Sequence, residues 1–462
     1  MTGVAITHTP CLKLRRAALS SLAATLLAAS ALTPGAARAD DPIAIFGGGE
    51  TDAFAVHGQA TFVDQYHPRF ASPYRGAQSL DPGQRGEETV DVTAFLGLRL
   101  WRGAELWIDP EIDQGFGLSG TLGVDGFTSA EAYKIGKSSP YPKLQRLLLR
   151  QTLNLGGKSQ KVEADMNQFA GTRTENRIVL TIGKMSVVDI FDTNKYAHDS
   201  KNDFLNWALV DTGTFDYAAD AWGYTYGAAA EWYQGDWTLR AGAFDLSGVP
   251  NNKNLDKTFH QYQLEGEIER RFSLFGRPGA VRATGFLTRG RMGTYDDAIA
   301  LAEATGGVPS VALVRHYHSR TGLSFNAEQE VAGDLGLFAR GGHADGKYEG
   351  YEFTDMADTF AAGLSLKGTR WGRKNDVLGV AGVLDQASSE AKAYFNAGGL
   401  GILAGDGALP HPGTEKIIET YYSLPLARFT HMTLDYQYVD NPAFNRDRGP
   451  VSVFAVRLHS QL

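Results

Sequence analysis

The sequence predicts an all-β protein, a 16-stranded antiparallel transmembrane β-barrel with long extracellular loops and short periplasmic turns. Three observations lead there. Apolar and polar residues alternate with period two through segment after segment. The joins between these segments run short, long, short, long. The N-terminus reads as an export signal, which places the protein beyond the cytoplasmic membrane.

Strand alternation is clearest in "QYQLEGEIER", residues 261–270. Gln261, Gln263, Glu265, Glu267 and Glu269 fall on one face, and Tyr262, Leu264, Gly266 and Ile268 on the other. In lipid, the apolar face looks outward and the glutamates line an aqueous lumen. Lipid offers unpaired backbone groups no partner, so such a sheet must close. A soluble sandwich or β-helix also alternates, but it has no use for sixteen strands with tyrosine and tryptophan near their ends.

The signal comes first along the chain. Lys13, Arg15 and Arg16 precede an apolar run from Leu19 to Leu32, and "ARAD" offers Ala37-x-Ala39 before Asp40. This assigns 1–39 to a cleaved signal peptide, 40–53 to a periplasmic lead and 54–462 to the barrel. The chain of 462 residues has a net charge of −8. Loss of residues 1–39 removes four basic residues and no acidic ones, leaving a net of −12. That charge argues against a nucleic-acid partner. The one cysteine, Cys11, lies inside the signal, so the mature protein has neither disulfides nor thiolate metal sites.

The strands then follow in order. "FAVHGQATF" sets Phe54, Val56, Ala60 and Phe62 against His57, Gln59 and Thr61. "TVDVTAFLGLRLW" sets Val90, Val92, Leu96 and Leu98 against Asp91, Thr93 and Arg99. A tight join at 102–104 leads to "ELWIDPEIDQ", which turns Glu105, Asp109, Glu111 and Asp113 inward. "LQRLLLRQTLNL" sets Leu147, Leu149, Leu153 and Leu155 against Arg146, Arg150 and Asn154. "RIVLTIGKMSVVDIF" alternates less cleanly, and "AWGYTYGAAAEWY" puts Trp222, Tyr224, Tyr226 and Trp232 on one face. Hairpins follow through the second half, ending in "VSVFAVRLHSQL". Tight joins at 235–236 and 331–333 contrast with long ones near 68–87, 115–142, 192–220, 292–318 and 388–415. This is the layout of an outer-membrane barrel, its strands near the ~9–11 residues that a tilted crossing needs. "DDAIALAEA", 296–304, reads as a small helix within one long loop.

Sixteen strands leave an open lumen, so selectivity depends on what narrows it. The loops 115–142 and 192–220 are the expected constriction. They carry Phe116, Phe127 and Tyr133, and Trp207, Phe215 and Tyr217. Aromatic faces suit the C–H faces of sugar rings, and the forked guanidinium groups of Arg99 and Arg150 suit hydroxyls. Small neutral sugars are therefore the expected partners, with outer-membrane lipid around the barrel. No cofactor is implied. His316 and His318 share a strand face but lack a third metal ligand, so no metal is expected. No G-x-S-x-G or HExxH motif supports a lipid- or glycan-cleaving barrel enzyme, which is the alternative from another class. A general-diffusion pore without sugar preference is the alternative within the class. A homotrimer and a monomer both fit.

Three segments carry a family resemblance: "LRLWRGAELWIDPEIDQGFGLSGTLGVDGF" (98–127), "GKMSVVDIFDTNKYAHDSKNDFLNWALVDTGTFDYAADAWGYTYGAAAEWY" (183–233) and "WTLRAGAFDLSGVPN" (237–251). In these the chain resembles the carbohydrate-selective porins of bacterial outer membranes, the OprB-type family. The resemblance implies sixteen strands, passive sugar-preferring diffusion, and an eyelet of arginine, glutamate and aromatics. Carried over by position, it implies Arg99, Glu111, Arg146 and Trp207 at the eyelet. Such barrels usually end in Phe, and this chain ends in Leu462.

Overall fold

A computed structural model describes residues 44–462. The signal-peptide assignment and the start of the lead lie outside the described residues. Sixteen long strands form one closed antiparallel sheet. They are β2 (Phe54–His67), β3 (Arg85–Trp101), β4 (Ala104–Gly115), β5 (Lys137–Val162), β6 (Gly171–Met185), β7 (Thr225–Gln234), β8 (Trp237–Asp245) and β9 (Tyr262–Leu274). The second half adds β10 (Arg277–Met292), β11 (His316–Ala332), β12 (Leu335–Ala344), β13 (Asp358–Gly368), β14 (Arg373–Gln386), β15 (Glu415–Ala427), β16 (Thr430–Asp440) and β17 (Val451–Gln461). Each pairs with its sequence neighbours, and β17 closes on β2 from Phe454↔Tyr66 to Gln461↔Gln59. The short β1 (Phe46–Gly47) pairs with β2 just beyond the end of β17, at Phe46↔Val56. Leu462 completes that seam, its amide donating to Gly58 O at 2.7 Å and its carbonyl accepting from Gly58 N at 2.8 Å.

The strand faces sort as lipid and lumen require. In β9, Leu264 and Ile268 are exposed, whereas Gln263, Glu265, Glu267 and Glu269 are buried toward the inside. Exposed aromatics gather at the two strand ends: Trp101, Trp232, Trp237 and Trp371 beside short turns, Tyr66, Tyr226, Tyr317 and Tyr438 toward the long loops. Amphipathic rings at those levels form the belts of a membrane barrel. The predicted common face for Trp222, Tyr224, Tyr226 and Trp232 does not form. β7 starts only at Thr225, so Trp222 and Tyr224 belong to the preceding loop and turn inward, away from Tyr226 and Trp232.

The apolar core lies within the lumen and is built largely by loops. Phe127, Trp207, Phe215, Tyr217 and Phe353 pack there among wall residues such as Phe286, Phe338 and Tyr421. The loop between β6 and β7 is buried almost continuously from Phe204 to Ala221. Inward-facing wall side chains hold its backbone. Arg340 donates to Ala197 O, Leu209 O and Asp192 O at 2.5, 2.6 and 3.1 Å. Glu419 accepts from the amides of Leu205 and Asn206, and Gln263 from that of Ala218. The small helix, Tyr295–Thr305, sits in the β10–β11 loop with Thr294 as its N-cap.

This inward folding corrects one expectation about the glutamates. Glu265, Glu267 and Glu269 all face the interior but are buried rather than set against open water: Glu267 lies beneath the loop, Glu269 beneath arginines, and both Glu265 carboxylate oxygens are buried without a hydrogen-bond partner among the described residues. Glu267 accepts from the amide of Asp192 at 2.8 Å and from Arg240, and Glu269 accepts from Arg240, Arg271 and Arg282. A wall of buried carboxylates satisfies loop amides that would otherwise lack partners in the lumen.

Candidate functional site

A cavity of about 1420 Å³ remains beside the loops. Every strand residue lining it belongs to β2–β8, because the loops cover the inner faces of the other strands. Basic and acidic side chains line it in equal number. The passage is thus strongly polar yet has no net formal charge.

Local strand geometry sets which groups reach it. Between Asp109↔Arg146 and Pro110↔Leu144, β5 bulges by one residue against β4. The bulge turns adjacent residues to the same side. Gln145 reaches Glu111 Oε1 at 2.8 Å, while Arg146 reaches Asp189 with Nε–Oδ2 at 2.8 Å and Nη2–Oδ1 at 2.6 Å. The Arg146 guanidinium also lies over the Tyr224 ring, 5.1 Å from its centroid. Asp189 closes a capping box with Ser186 that starts the inward loop. Burial raises the Asp189 pKa, but Arg146 outweighs it and holds the carboxyl below its ordinary value.

Across the cavity, Lys201 meets Asp91 at 3.1 Å and also pairs with Glu131. Burial disfavours its charge, yet Asp91, Glu131 and Glu111 together hold the ammonium pKa well above its usual value. Trp207 stacks on Phe127 with centroids 5.2 Å apart and planes 10° apart. Tyr217, Lys134 and Phe353 extend this aromatic wall.

The structure therefore brings Glu111, Arg146 and Trp207 around one cavity. Arg99 and Arg150 line the same cavity toward its short-turn end. Arg99 donates to Gly49 O, Asp52 O and Ala170 O, and Arg150 donates to Asn167 O. Glu105 reaches the cavity edge, whereas Asp109 and Asp113 face inward but lie fully buried within the wall. The polar residues that sequence reasoning missed are Asp189, Lys201, Glu131, Tyr224 and the β7–β8 group Glu231, Tyr233 and Arg240. Arg240 was recognisable only as one polar member of an alternating strand. Lys201 and Asp189 sit in irregular chain, where alternation carries no signal.

The family described as carbohydrate-selective porin, OprB family, matches residues 77–462. No curated protein sequence matches the chain. Among solved structures, a high-pH structure of Pseudomonas putida OprB aligns with a TM-score of 0.67 at 14% identity, covering 89% of this chain and 94% of that one. A low-pH structure of the same Pseudomonas putida protein aligns with a TM-score of 0.48 at 12% identity, covering 89% and 93%. The closed sixteen-stranded barrel and a family match over most of the chain have one reading: the chain belongs to the OprB family of carbohydrate-selective porins, passive sugar-selective channels of the Gram-negative outer membrane.

Proposed function

We propose that sugars cross this porin along the β2–β8 side of the lumen and pause beside the Arg146–Asp189 pair. The observation that carries this reading is the pair itself, a planar fork of donors and a carboxylate held side by side next to the Tyr224 ring. A pyranose presents hydroxyls in its plane and C–H groups on its faces. Arg146 and Asp189 supply paired donors and acceptors to the hydroxyls, while Tyr224 supplies a face and the buried Trp207–Phe127 stack backs the narrowing. Glu111 and Lys201 border the same space. The equal number of basic and acidic lining groups favours neutral solutes over either ion.

The loops 115–142 and 192–220 act as the constriction, with Phe127, Glu131, Lys201 and Trp207 as its edge. Arg99 and Arg150 contribute below it, where their remaining donors meet solute leaving toward the periplasm. The test is single-channel recording in planar bilayers with glucose, maltose and a neutral polyol of similar size. Steady channels with saturable block by one sugar support the reading. Steady channels without sugar-specific block make this member a general-diffusion pore.

A further inference from the structure

The hairpin joining β5 to β6 is far longer than a barrel turn needs. β5 runs 26 residues, but its pairing with β4 stops at Ala104↔Gln151. Its pairing with β6 continues to Val162↔Gly171, while β6 meets β7 only from Arg177 onward. A two-stranded ribbon thus leaves the barrel at its periplasmic end. It carries register shifts at Asn154/Gly156 and Gly156/Ser159. Gly156 and Gly157 have φ of 105° and 89°, conformations open to glycine that allow a sharp bend.

The bend brings the tip, residues 163–170, back into the mouth of the barrel. Asn167 Nδ2 donates to Asp109 at 2.9 Å on β4, and its carbonyl accepts from Arg150 on β5. Phe169 packs on Trp107 with centroids 5.1 Å apart and lies under the Arg99 guanidinium at 4.5 Å. Arg99 from β3 also ties Ala170 O to Gly49 O and Asp52 O of the N-terminal lead. The amide of Ala170 donates to Gly48 O at 2.8 Å, and Gln461 of β17 reaches Asp165 at 3.4 Å. The tip therefore touches β3, β4, β5, β17 and the lead. Residues Asp165–Arg173 line the main cavity from this side, opposite the extracellular loops.

We propose that this periplasmic strap is a second size filter, in series with the loop constriction, and that Arg99 is the positioning residue that keeps it across the exit. Solute that has passed the loops must leave beside the strap, along Arg150, Arg173 and Arg177. The strap is fixed rather than gating. Phe169 is buried against Trp107 beneath the Arg99 guanidinium, and the strap's backbone is tied at both Asn167 and Ala170. The inference needs only that the barrel conducts, so it stands apart from the choice of sugar.

The test uses three changes to the full chain and one conservative control. In the first, residues 156–175 are replaced by Asn-Gly, a two-residue hairpin turn that follows the Asn154↔Arg177 pair. In the second, Arg99→Ala releases the strap without altering β5 or β6, and Arg99→Lys serves as the conservative control. In the third, Gly48→Cys and Ala164→Cys are combined, since a Cβ at Gly48 stands 3.5 Å from the Ala164 Cβ, within disulfide range; the left-handed φ of Gly48, 88°, strains a side chain there, so the reduced pair is its own reference. Single-channel conductance in KCl and liposome swelling with a maltodextrin ladder are the readouts. The strapless channel is expected to conduct about twofold more and to admit longer oligosaccharides. Arg99→Ala should move both readouts the same way by a smaller amount, and Arg99→Lys by less again. The oxidised cysteine pair should conduct as its reduced form does. A folded strapless barrel with unchanged conductance and size limit overturns the filter. If the strapless barrel does not assemble, unchanged readouts in Arg99→Ala overturn it instead. Closure of the channel on oxidation overturns a fixed strap.

Discussion

Arg146 on β5 and Asp189 at the start of the inward loop form a two-point ion pair, with contacts of 2.8 and 2.6 Å. The pair joins barrel wall to constriction loop and places both charges at the cavity. Its two halves are predicted to have opposite effects when removed. Asp189→Asn leaves the Arg146 charge with Asp109, at 3.6 Å, as its remaining carboxylate partner among the described residues. The channel should then shift toward anion selectivity, read as reversal potential in a KCl gradient. Arg146→Gln should shift it toward cations and weaken glucose block by about tenfold, the loss of one charge-assisted contact worth ~1.5 kcal/mol. Matching shifts in the two variants would disprove the opposition.

Trp207 tests the aromatic wall. It is almost fully buried and stacked on Phe127. Trp207→Ala removes the stack and opens space where the loop narrows the lumen. Conductance should rise and sugar block should weaken together. Trp207→Phe retains a ring and should restore much of both. A rise in conductance with block unchanged would place the sugar contact elsewhere.

Arg340 holds the constriction from behind. It is buried behind the loop and donates to three loop carbonyls. Truncation to Ala strands those carbonyls and removes the cation nearest the buried Asp192, 3.6 Å away. Loss of one partner of a buried pair typically costs about 3–5 kcal/mol. Arg340→Ala should lower the temperature at which the folded barrel unfolds in detergent, and its channels should flicker. Quiet channels with wild-type heat resistance would show that the loop does not need this anchor.

These variants also mark where the sequence is readable and where it is not. Strand faces are legible because lipid imposes the same rule on every crossing, and a slip of one residue would put Glu265, Glu267 and Glu269 into hydrocarbon. Arg99, Glu111, Arg146 and Arg150 all reach the cavity for that reason. The loop contacts follow no period. That Glu267 caps the amide of Asp192, 75 residues away, depends on how the β6–β7 loop folds inward. Gln145 shares the side of Arg146 only because of a bulge, which strict alternation cannot represent. The strap left one sequence trace, the Gly156–Gly157 pair after a strand already long enough to cross the membrane. Its return into the barrel depends on Arg99, Asp109 and Gly48, which are remote in sequence.

The lipid face gives a prediction about assembly. Leu264 and Ile268 are exposed on the outer face of β9, on either side of Glu265 and Glu267, which point to the inner face. Ile268→Arg near the middle of the span should cost ~2–4 kcal/mol, whereas Arg at a water-facing rim position costs little. Heat-modifiability on gels, with urea unfolding in lipid vesicles, reports the difference. A stable Ile268→Arg barrel would mean that this face is not in contact with lipid.

Asp211 predicts a pH dependence of ion selectivity. It lies on the constriction loop at the cavity, and burial, reinforced by the nearby Asp192 charge, pushes its pKa up to about 8. His198 stands 3.9 Å away, but burial lowers its own pKa, so it supplies little positive charge at neutral pH. Below pH 8 the Asp211 carboxyl is neutral, and as pH rises through 8 it adds a negative charge to the passage. Reversal potentials should therefore move toward cation selectivity between about pH 7 and 9, and Asp211→Asn should remove that movement. The same carboxyl ties the stability of the fold to pH. The folded state binds this proton more tightly than the unfolded chain does, with its ordinary value of 3.8. The associated stability is fully present below that value and is lost as pH rises through 8. Asp211→Asn keeps a neutral side chain at every pH, so its selectivity and stability should both be flatter across that window than those of the parent.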